Sequence, residues 1–245
     1  MLSRVAGQLD FKLGKGPSPS IRFPSTGPYD HRLGYTDLPR FITRLGERGY
    51  RVEQQARLSE RHLATVDRGI FPIYHERTQA GLVLLDQHGE PIFEARFPER
   101  IYPDFAAVPP LVVQTLLFIE NQELLDPETA RRNPAIEWDR LVAVLPRAIA
   151  RFADPSVNLP GGSTLATQIE KYRHSPFGRT DNVSEKLKQM ASASLRAYRD
   201  GPDTSAVRHQ IVVDYLNSTP LAARAGFGEI NGLGDGLYAW FGSDF

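Results

Sequence analysis

Cysteine is absent from this 245-residue chain, which excludes disulfide bonds, zinc–thiolate sites and thiol nucleophiles. An excess of either charge is also lacking, because 29 Lys and Arg residues balance 29 Asp and Glu residues. A balanced chain has no broad positive field of the kind that nucleic-acid binding requires, so no nucleic-acid partner is expected. The composition is otherwise that of an ordinary globular protein.

Long apolar runs are missing as well. No stretch of roughly 18 consecutive apolar residues occurs, so no segment is expected to span a bilayer. Residues 1–27 lack the apolar core of a signal peptide. A membrane anchor, if the protein uses one, is therefore expected outside this sequence. The six histidines show no metal-ligand spacing, and no metal site is assigned.

The composition changes near residue 100, which predicts an N-terminal region over residues 1–100 and a second domain over 101–245. Residues 1–34 are rich in Gly, Pro and Ser and are predicted to be a mostly irregular lead-in. A helical pattern follows at Leu38–Gly49, and Val52–Thr65 is expected to hold a second short helix. Gly81–Phe97 holds two apolar runs around a His-Gly turn and predicts a β-hairpin.

Beyond residue 100 the chain predicts one helix after another, which makes the fold mainly α and α+β overall. The first predicted helix carries an apolar stripe through Val112, Leu116 and Ile119. Further helices are predicted at Trp138–Phe152, directly after Gly161-Gly162, at Val183–Tyr198 and at Thr204–Leu216.

The segment from Gly161 to Lys171 reads GGSTLATQIEK. Ser163 or Thr164 is expected to cap a helix, whose open amide groups form a site for an anion such as phosphate. Thr164, Gln168 and Lys171 then share one face of the helix. Leu165, Ile169 and Tyr172 form a second, apolar face. On spacing alone, an ordinary capped amphipathic helix is the simpler interpretation.

Two other features carry candidate chemistry. Glu120 ends the apolar run LLFIE, and a partly desolvated carboxylate suits general acid or base catalysis. Taken alone, Glu120 equally well marks the solvent edge of a core helix. Lys186 and Lys188 lie in a predicted helix, where they can meet phosphate oxygens or simply face solvent.

The order and spacing of these segments resemble glycosyltransferase family 51, the peptidoglycan glycosyltransferase domain of bifunctional penicillin-binding proteins and monofunctional transglycosylases. Its I-E-D motif is similar to Ile119-Glu120-Asn121, and G-G-S-T-x-T-Q-Q-x-x-K is similar to Gly161–Lys171. The motifs R-K-x-K-E, K-x-x-I-x-x-x-Y-L-N and Y-F-G are similar to Glu185–Gln189, Arg208–Asn217 and Trp240–Gly242. The resemblance extends from Tyr102 to Gly242.

The resemblance implies a lysozyme-like helical fold that extends glycan strands from a lipid-linked disaccharide pentapeptide, with inversion. It implies Glu120 as the general base. The implied substrate-binding residues are Ser163, Thr164, Gln168, Lys171, Lys186, Gln189 and Asn217. It implies no required cofactor, although Mg²⁺ or Mn²⁺ sometimes assists the leaving group in the family. The implied partners are the lipid-linked precursor, the nascent strand and cell-wall synthesis proteins, at the outer face of the bacterial inner membrane.

Several positions depart from the family pattern. Gln189 replaces the second glutamate, Glu185 replaces an arginine, and Asn121 replaces the aspartate beside the base. An active enzyme is then expected to supply a carboxylate from Glu185 or Glu123. If neither faces Glu120, a non-catalytic module that binds the lipid diphosphate or glycan is favoured. A lysozyme-like glycan-cleaving enzyme is the second alternative, although cleavage has no diphosphate for the Gly161–Lys171 helix to hold.

Overall fold

The computed structural model describes residues 1–22, 27–136 and 163–244, and this part of the chain is mainly α-helical, as predicted. Its α-helices are α1 (Leu2–Ala6), α2 (Pro28–Arg32), α3 (Leu38–Glu47), α4 (Glu60–Asp67), α5 (Pro110–Glu120), α6 (Leu165–His174), α7 (Val183–Ala197), α8 (Ser205–Ser218) and α9 (Leu233–Phe241). Its strands are β1 (Phe11–Lys15), β2 (Gln54–Leu58), β3 (Ala80–Leu85) and β4 (Pro91–Phe97).

Helix α6 lies at the centre of the core. Its residues Leu165, Ile169 and Tyr172 are buried, which confirms the predicted apolar face. They belong to one apolar cluster with residues of α5, α7 and α8, including Val113, Ala193, Val212 and Leu216. The predicted helices at Leu38–Gly49, Val183–Tyr198 and Thr204–Leu216 are confirmed as α3, α7 and α8.

The strands form two separate antiparallel pairs. β3 and β4 make the predicted hairpin, with Ala80 opposite Phe97 and Leu84 opposite Phe93. Every residue of β4 is exposed, so the hairpin stands away from the core. β1 pairs with β2, from Phe11 opposite Leu58 to Lys15 opposite Gln54.

The N-terminal region contains more regular structure than the sequence predicted. Residues 1–34 are not simply irregular, because α1, β1 and α2 lie within them. The short helix predicted within Val52–Thr65 is α4, which begins after Ser59, whose side chain accepts from the His62 amide. The first half of the segment is strand β2, which was not predicted. The partner of β2 lies about forty residues away, so no local pattern indicated a strand. The predicted helix Trp138–Phe152 and the pair Gly161-Gly162 lie outside the described residues.

The N-terminal region packs directly on the helices that follow residue 100. α2 contacts α6, and α1 contacts α7, where Ala6 and Ala197 are both buried. The division at residue 100 stays a prediction. Among the described residues, every helix is too short or too polar to cross a bilayer.

Candidate functional site

The first turn of α6 is capped by Thr164 rather than Ser163. The Thr164 hydroxyl accepts from the Thr167 amide at 3.2 Å, and Thr164 is buried. This satisfies one of the open amides at the helix start. Ser163 is left for a different contact, since its hydroxyl accepts a hydrogen bond of 2.7 Å from the Lys186 ammonium. The predicted cap is therefore confirmed, and the neighbouring hydroxyl ties α6 to α7.

Glu120 and Gln168 meet at the middle of α6. The side-chain amide of Gln168 donates to Oε2 of Glu120 at 2.8 Å. Glu120 is the last residue of α5 and is partly buried, as is Gln168. The structure thus brings together a carboxylate and an amide that lie 48 positions apart in the sequence.

The two predicted lysines lie beside this pair. Burial lowers the pKa of the Lys186 ammonium, and the positive charge of Lys171 lowers it further. Lys171 lies one turn beyond Gln168 on the same face of α6, so the cationic pair adjoins the Glu120–Gln168 contact. Two ammonium groups held close together repel each other, and an anion placed between them relieves that repulsion. The arrangement suits a phosphate-bearing ligand.

Tyr215 is a neighbour of Glu120 that was not among the predicted site residues. Burial raises the pKa of the Tyr215 phenol, and the negative charge of Glu120 contributes to the rise. Its ring meets the Tyr172 ring edge-on, with centroids 6.2 Å apart. The sequence showed Tyr215 only as part of the Tyr-Leu-Asn pattern at the end of a helix.

Two further predicted substrate-binding residues, Gln189 and Asn217, use their side-chain amides for hydrogen bonds within the protein. Gln189 is fully buried and donates to the hydroxyls of Ser175 and Thr180, each at 2.9 Å. Asn217 is also buried; it accepts from the Tyr102 amide and donates to the Tyr102 carbonyl, both at 2.8 Å. The structure does not bring these two amides to Glu120, and their contact with substrate stays a prediction.

Neither candidate replacement carboxylate bonds to Glu120. The Ser175 hydroxyl donates to Glu185 at 2.7 Å and also accepts from Gln189, so this hydroxyl bridges the Glu185 and Gln189 side chains. Glu123 is exposed in the segment that follows α5. Within the described ranges, neither side chain forms a hydrogen bond with Glu120 or Gln168.

The segment that follows Glu120 is held by Arg208 of α8. The buried guanidinium donates to the carbonyls of Leu124 and Thr129, each at 2.6 Å, and of Arg132 at 2.8 Å. Charged donors to carbonyls form strong hydrogen bonds, so Arg208 fixes the path of the chain just beyond the carboxylate.

Behind α6 lies a buried charged cluster that the sequence analysis missed. His174 contacts Glu76 at 2.6 Å and Asp30 at 3.6 Å, and Arg173 contacts Glu76 at 3.1 Å. Burial opposes a charge on His174, but Glu76, Asp30 and Glu170 outweigh it and raise the pKa of the imidazole to about 9. The only signal in the sequence was the Arg173-His174 pair at the end of an amphipathic helix. The members of this charged cluster are Asp30, Glu76, Glu170, Arg173, His174, Arg196 and Asp214.

In the residues that the structure describes, no group of three or more His, Asp or Glu side chains is arranged to hold a metal ion. In a comparison with protein families, the family model described as Transglycosylase matches residues 88–245, nearly two thirds of the chain. No curated protein matches the sequence.

Proposed function

This chain belongs to the transglycosylase family, and we propose that it polymerises a lipid-linked disaccharide pentapeptide into peptidoglycan strands. The observation that carries the proposal is the hydrogen bond of 2.8 Å between Gln168 and Glu120, with Lys171 one turn beyond Gln168. Transfer from a lipid diphosphate requires a carboxylate that accepts a proton and positively charged groups that stabilise the leaving diphosphate.

In the proposed reaction Glu120 is the general base. Oε2 is occupied by the Gln168 amide, so Oε1 takes the proton from the 4-hydroxyl of the acceptor sugar. The acceptor oxygen then attacks the anomeric carbon of the growing strand. The bond from that carbon to the diphosphate oxygen breaks, and the lipid diphosphate leaves with the electron pair. Because attack and departure occur on opposite faces, the anomeric configuration inverts.

The leaving diphosphate develops negative charge, which Lys171 and Lys186 are placed to stabilise. Lys186 is held by Ser163 at 2.7 Å, so its position is fixed before substrate arrives. We propose that the reaction needs no resident cofactor and that Mg²⁺ or Mn²⁺ in solution assists by adding charge at the diphosphate. The proposed place of action is the outer face of the bacterial inner membrane, reached through an anchor outside this sequence and alongside other cell-wall synthesis proteins.

The test is polymerisation of a fluorescent lipid-linked disaccharide pentapeptide, with and without Mg²⁺ or Mn²⁺. General-base catalysis contributes about 10²–10⁴-fold, so Glu120→Gln is expected to lower the rate by at least about 100-fold. Circular dichroism should be unchanged, because the new amide oxygen still accepts from Gln168. The matched control is Glu128→Gln, which removes an exposed carboxylate of the same segment, and this variant should polymerise normally. Equal rates for wild type and Glu120→Gln reject Glu120 as the base.

A non-catalytic binding module is the second candidate function. It is favoured by Gln189, which is buried and uncharged where the family pattern has a glutamate, and by Glu185, which bonds to Ser175 instead of facing Glu120. If the protein is a binding module, Glu120→Gln should bind the lipid-linked precursor with the same affinity as the wild type. Neither the wild type nor Glu120→Gln should then polymerise the precursor. Release of soluble fragments from purified glycan would instead indicate a lysozyme-like cleaving enzyme.

A further inference from the structure

Helix α6 carries different groups on its two sides. Gln168 and Lys171 lie on the side that meets Glu120 and Lys186. At 3.6 residues per turn, Glu170, Arg173 and His174 lie on roughly the opposite side, and all three are buried in the charged cluster. Any rotation or shift of α6 that changes the cluster therefore also moves Gln168 and Lys171 relative to Glu120.

Residues upstream of the matched family segment complete the cluster. Glu76 lies between α4 and β3, is only 5% exposed, and contacts His174, Arg173 and, at 3.6 Å, Arg196. Asp30 of α2 adds the second contact to His174. Both acidic residues precede residue 88, where the family match begins.

The charges explain why the upstream residues are needed. Within the matched segment, Arg173, Arg196 and the protonated His174 face only Glu170 and Asp214 as cluster carboxylates. A buried cation without a partner is strongly unfavourable, because it loses hydration and gains nothing in return. Glu76 and Asp30 supply the missing negative charge from the N-terminal region.

Glu76 also connects the two helices that carry the site lysines. It reaches Arg173 and His174 on α6, which bears Lys171, and Arg196 on α7, which bears Lys186. Arg196 strengthens the connection, since it bonds to Glu170 at 2.7 Å and donates to the carbonyls of Pro72 and Tyr74. Two buried carboxylates, Glu76 and Glu170, thus link the two lysine-bearing helices on the side away from the lysines.

We propose that Glu76 is a positioning residue of the glycosyl-transfer site. It fixes α6 against α7, and through α6 it holds Gln168 on Glu120 and Lys171 beside Lys186. This assignment rests on the proposed function for its catalytic consequence, but not for its structural one. It makes a residue that precedes the family match, which begins at residue 88, part of the machinery of the site.

The structural consequence is read from the side-chain amide NMR signals of Gln168 in the full chain, assigned by their loss in Gln168→Met. Glu76→Gln keeps the shape of the side chain and removes its charge, so the Gln168 signals should move as the contact with Glu120 loosens. The matched control is Glu94→Gln, which removes an exposed carboxylate of β4 and should leave those signals in place. If Glu76→Gln fails to fold, Asp30→Asn removes the longer contact to His174 and should move the same signals by less.

The catalytic consequence is read from polymerisation of the fluorescent lipid-linked precursor at a temperature well below unfolding. Glu76→Gln should lower kcat at least tenfold, whereas Glu94→Gln should not change it. A variant that melts earlier but keeps the Gln168 signals and kcat of the wild type overturns the positioning role, because Glu76 would then only stabilise the fold. A wild type that polymerises nothing rejects the proposed function alone, since the NMR comparison needs no substrate.

Discussion

The side-chain amide of Gln168 donates to Oε2 of Glu120 across 2.8 Å, which joins the end of α5 to the partly buried side of α6. The contact leaves the carboxylate with one engaged oxygen and one oxygen for chemistry. Helix α6 therefore contributes Gln168 as a contact to the proposed base, in addition to Lys171. The first prediction follows from this pair.

Gln168→Glu should shift the pH dependence of the reaction upward. The substitution places two carboxylates within hydrogen-bond distance, and they cannot both ionise freely, so one proton is retained by the pair at higher pH. The acidic limb of the rate profile is expected to move up by about one pH unit or more. Gln114→Glu, at an exposed position of α5, is the control and should leave the profile unchanged. An unshifted profile in Gln168→Glu contradicts Glu120 as the titrating base.

Lys171→Ala should weaken binding of a diphosphate. The probe is a short-chain prenyl diphosphate, measured by titration calorimetry at low salt. Loss of one of the two ammonium groups is expected to reduce affinity about tenfold, or about 1.4 kcal/mol. Lys12→Ala removes an exposed lysine of β1 and should bind as wild type does. Equal affinities for wild type and Lys171→Ala would remove the proposed diphosphate role of this lysine.

The pH dependence of diphosphate affinity should show that Lys171 lowers the pKa of Lys186. Burial and Lys171 together lower the pKa of Lys186, so its positive charge is lost at a lower pH than that of an ordinary lysine. Affinity for the diphosphate should therefore begin to fall below the ordinary lysine range. In Lys171→Ala the fall should move to higher pH, because one of its two causes is gone. A fall at the same pH in both proteins would show that Lys171 does not act on Lys186.

Thr164→Val should destabilise the protein without a direct effect on the proposed base. The variant keeps the shape of the side chain but removes the hydroxyl that caps α6. Loss of a cap costs about 1 kcal/mol, which corresponds to a fall in Tm of about 2–4 °C for a chain of this size. Thr164→Ser keeps the capping oxygen and should recover most of the loss. Identical melting of Thr164→Val and Thr164→Ser would show that the hydroxyl does not stabilise the helix.

Local patterns in the sequence predicted α6 well and its surroundings poorly. The cap at Thr164 and the buried face of Leu165, Ile169 and Tyr172 follow from spacing within one helix, and the structure has both. The pairing of β1 with β2 was missed because each strand needs a partner about forty residues away. The ion pair between Glu76 and His174 was missed for the same reason, since nothing near Glu76 in sequence indicates burial.

The candidate site, too, was only partly predictable from local sequence patterns. Spacing placed Gln168 and Lys171 on one face, but only the family resemblance connected that face to Glu120. Gln189 and Asn217 were assigned by resemblance too, and the structure shows their amides bonded within the fold. A motif position fixes where a residue lies along the chain, whereas the direction of its side chain depends on neighbours from distant segments.

Gly27→Ala should be strongly destabilising. A Cβ at Gly27 would lie 2.0 Å from the carbonyl oxygen of Arg173, so the start of α2 would have to move away from α6. Such overpacking against backbone costs about 1–3 kcal/mol or more. The matched control is Gly46→Ala in α3, where nothing lies within 4 Å and helix propensity predicts a gain of about 0.5–1 kcal/mol. Equal unfolding free energies in urea for the two variants would contradict the close packing of α2 on α6.

The stability of the fold should fall at alkaline pH because of His174. Its pKa is raised from 6.5 to about 9: burial opposes the charge, but the carboxylates of Glu76, Asp30 and Glu170 prevail. A raised pKa means that the protonated form is favoured by folding, so the stabilisation is complete below about pH 6.5 and is lost as the pH rises through about 9. The size of the shift corresponds to on the order of 3 kcal/mol.

Urea unfolding from about pH 6.5 to about pH 9.5 measures this loss directly. His174→Asn should be less stable than wild type at the acidic end, because Glu76 and Asp30 lose a cationic partner, and its stability should change less with pH. The two curves should therefore converge as the pH rises, since the imidazole of the wild type becomes neutral over the same interval. Parallel curves, with a constant gap between the two proteins, would show that His174 does not carry the charge that links α6 to the N-terminal region.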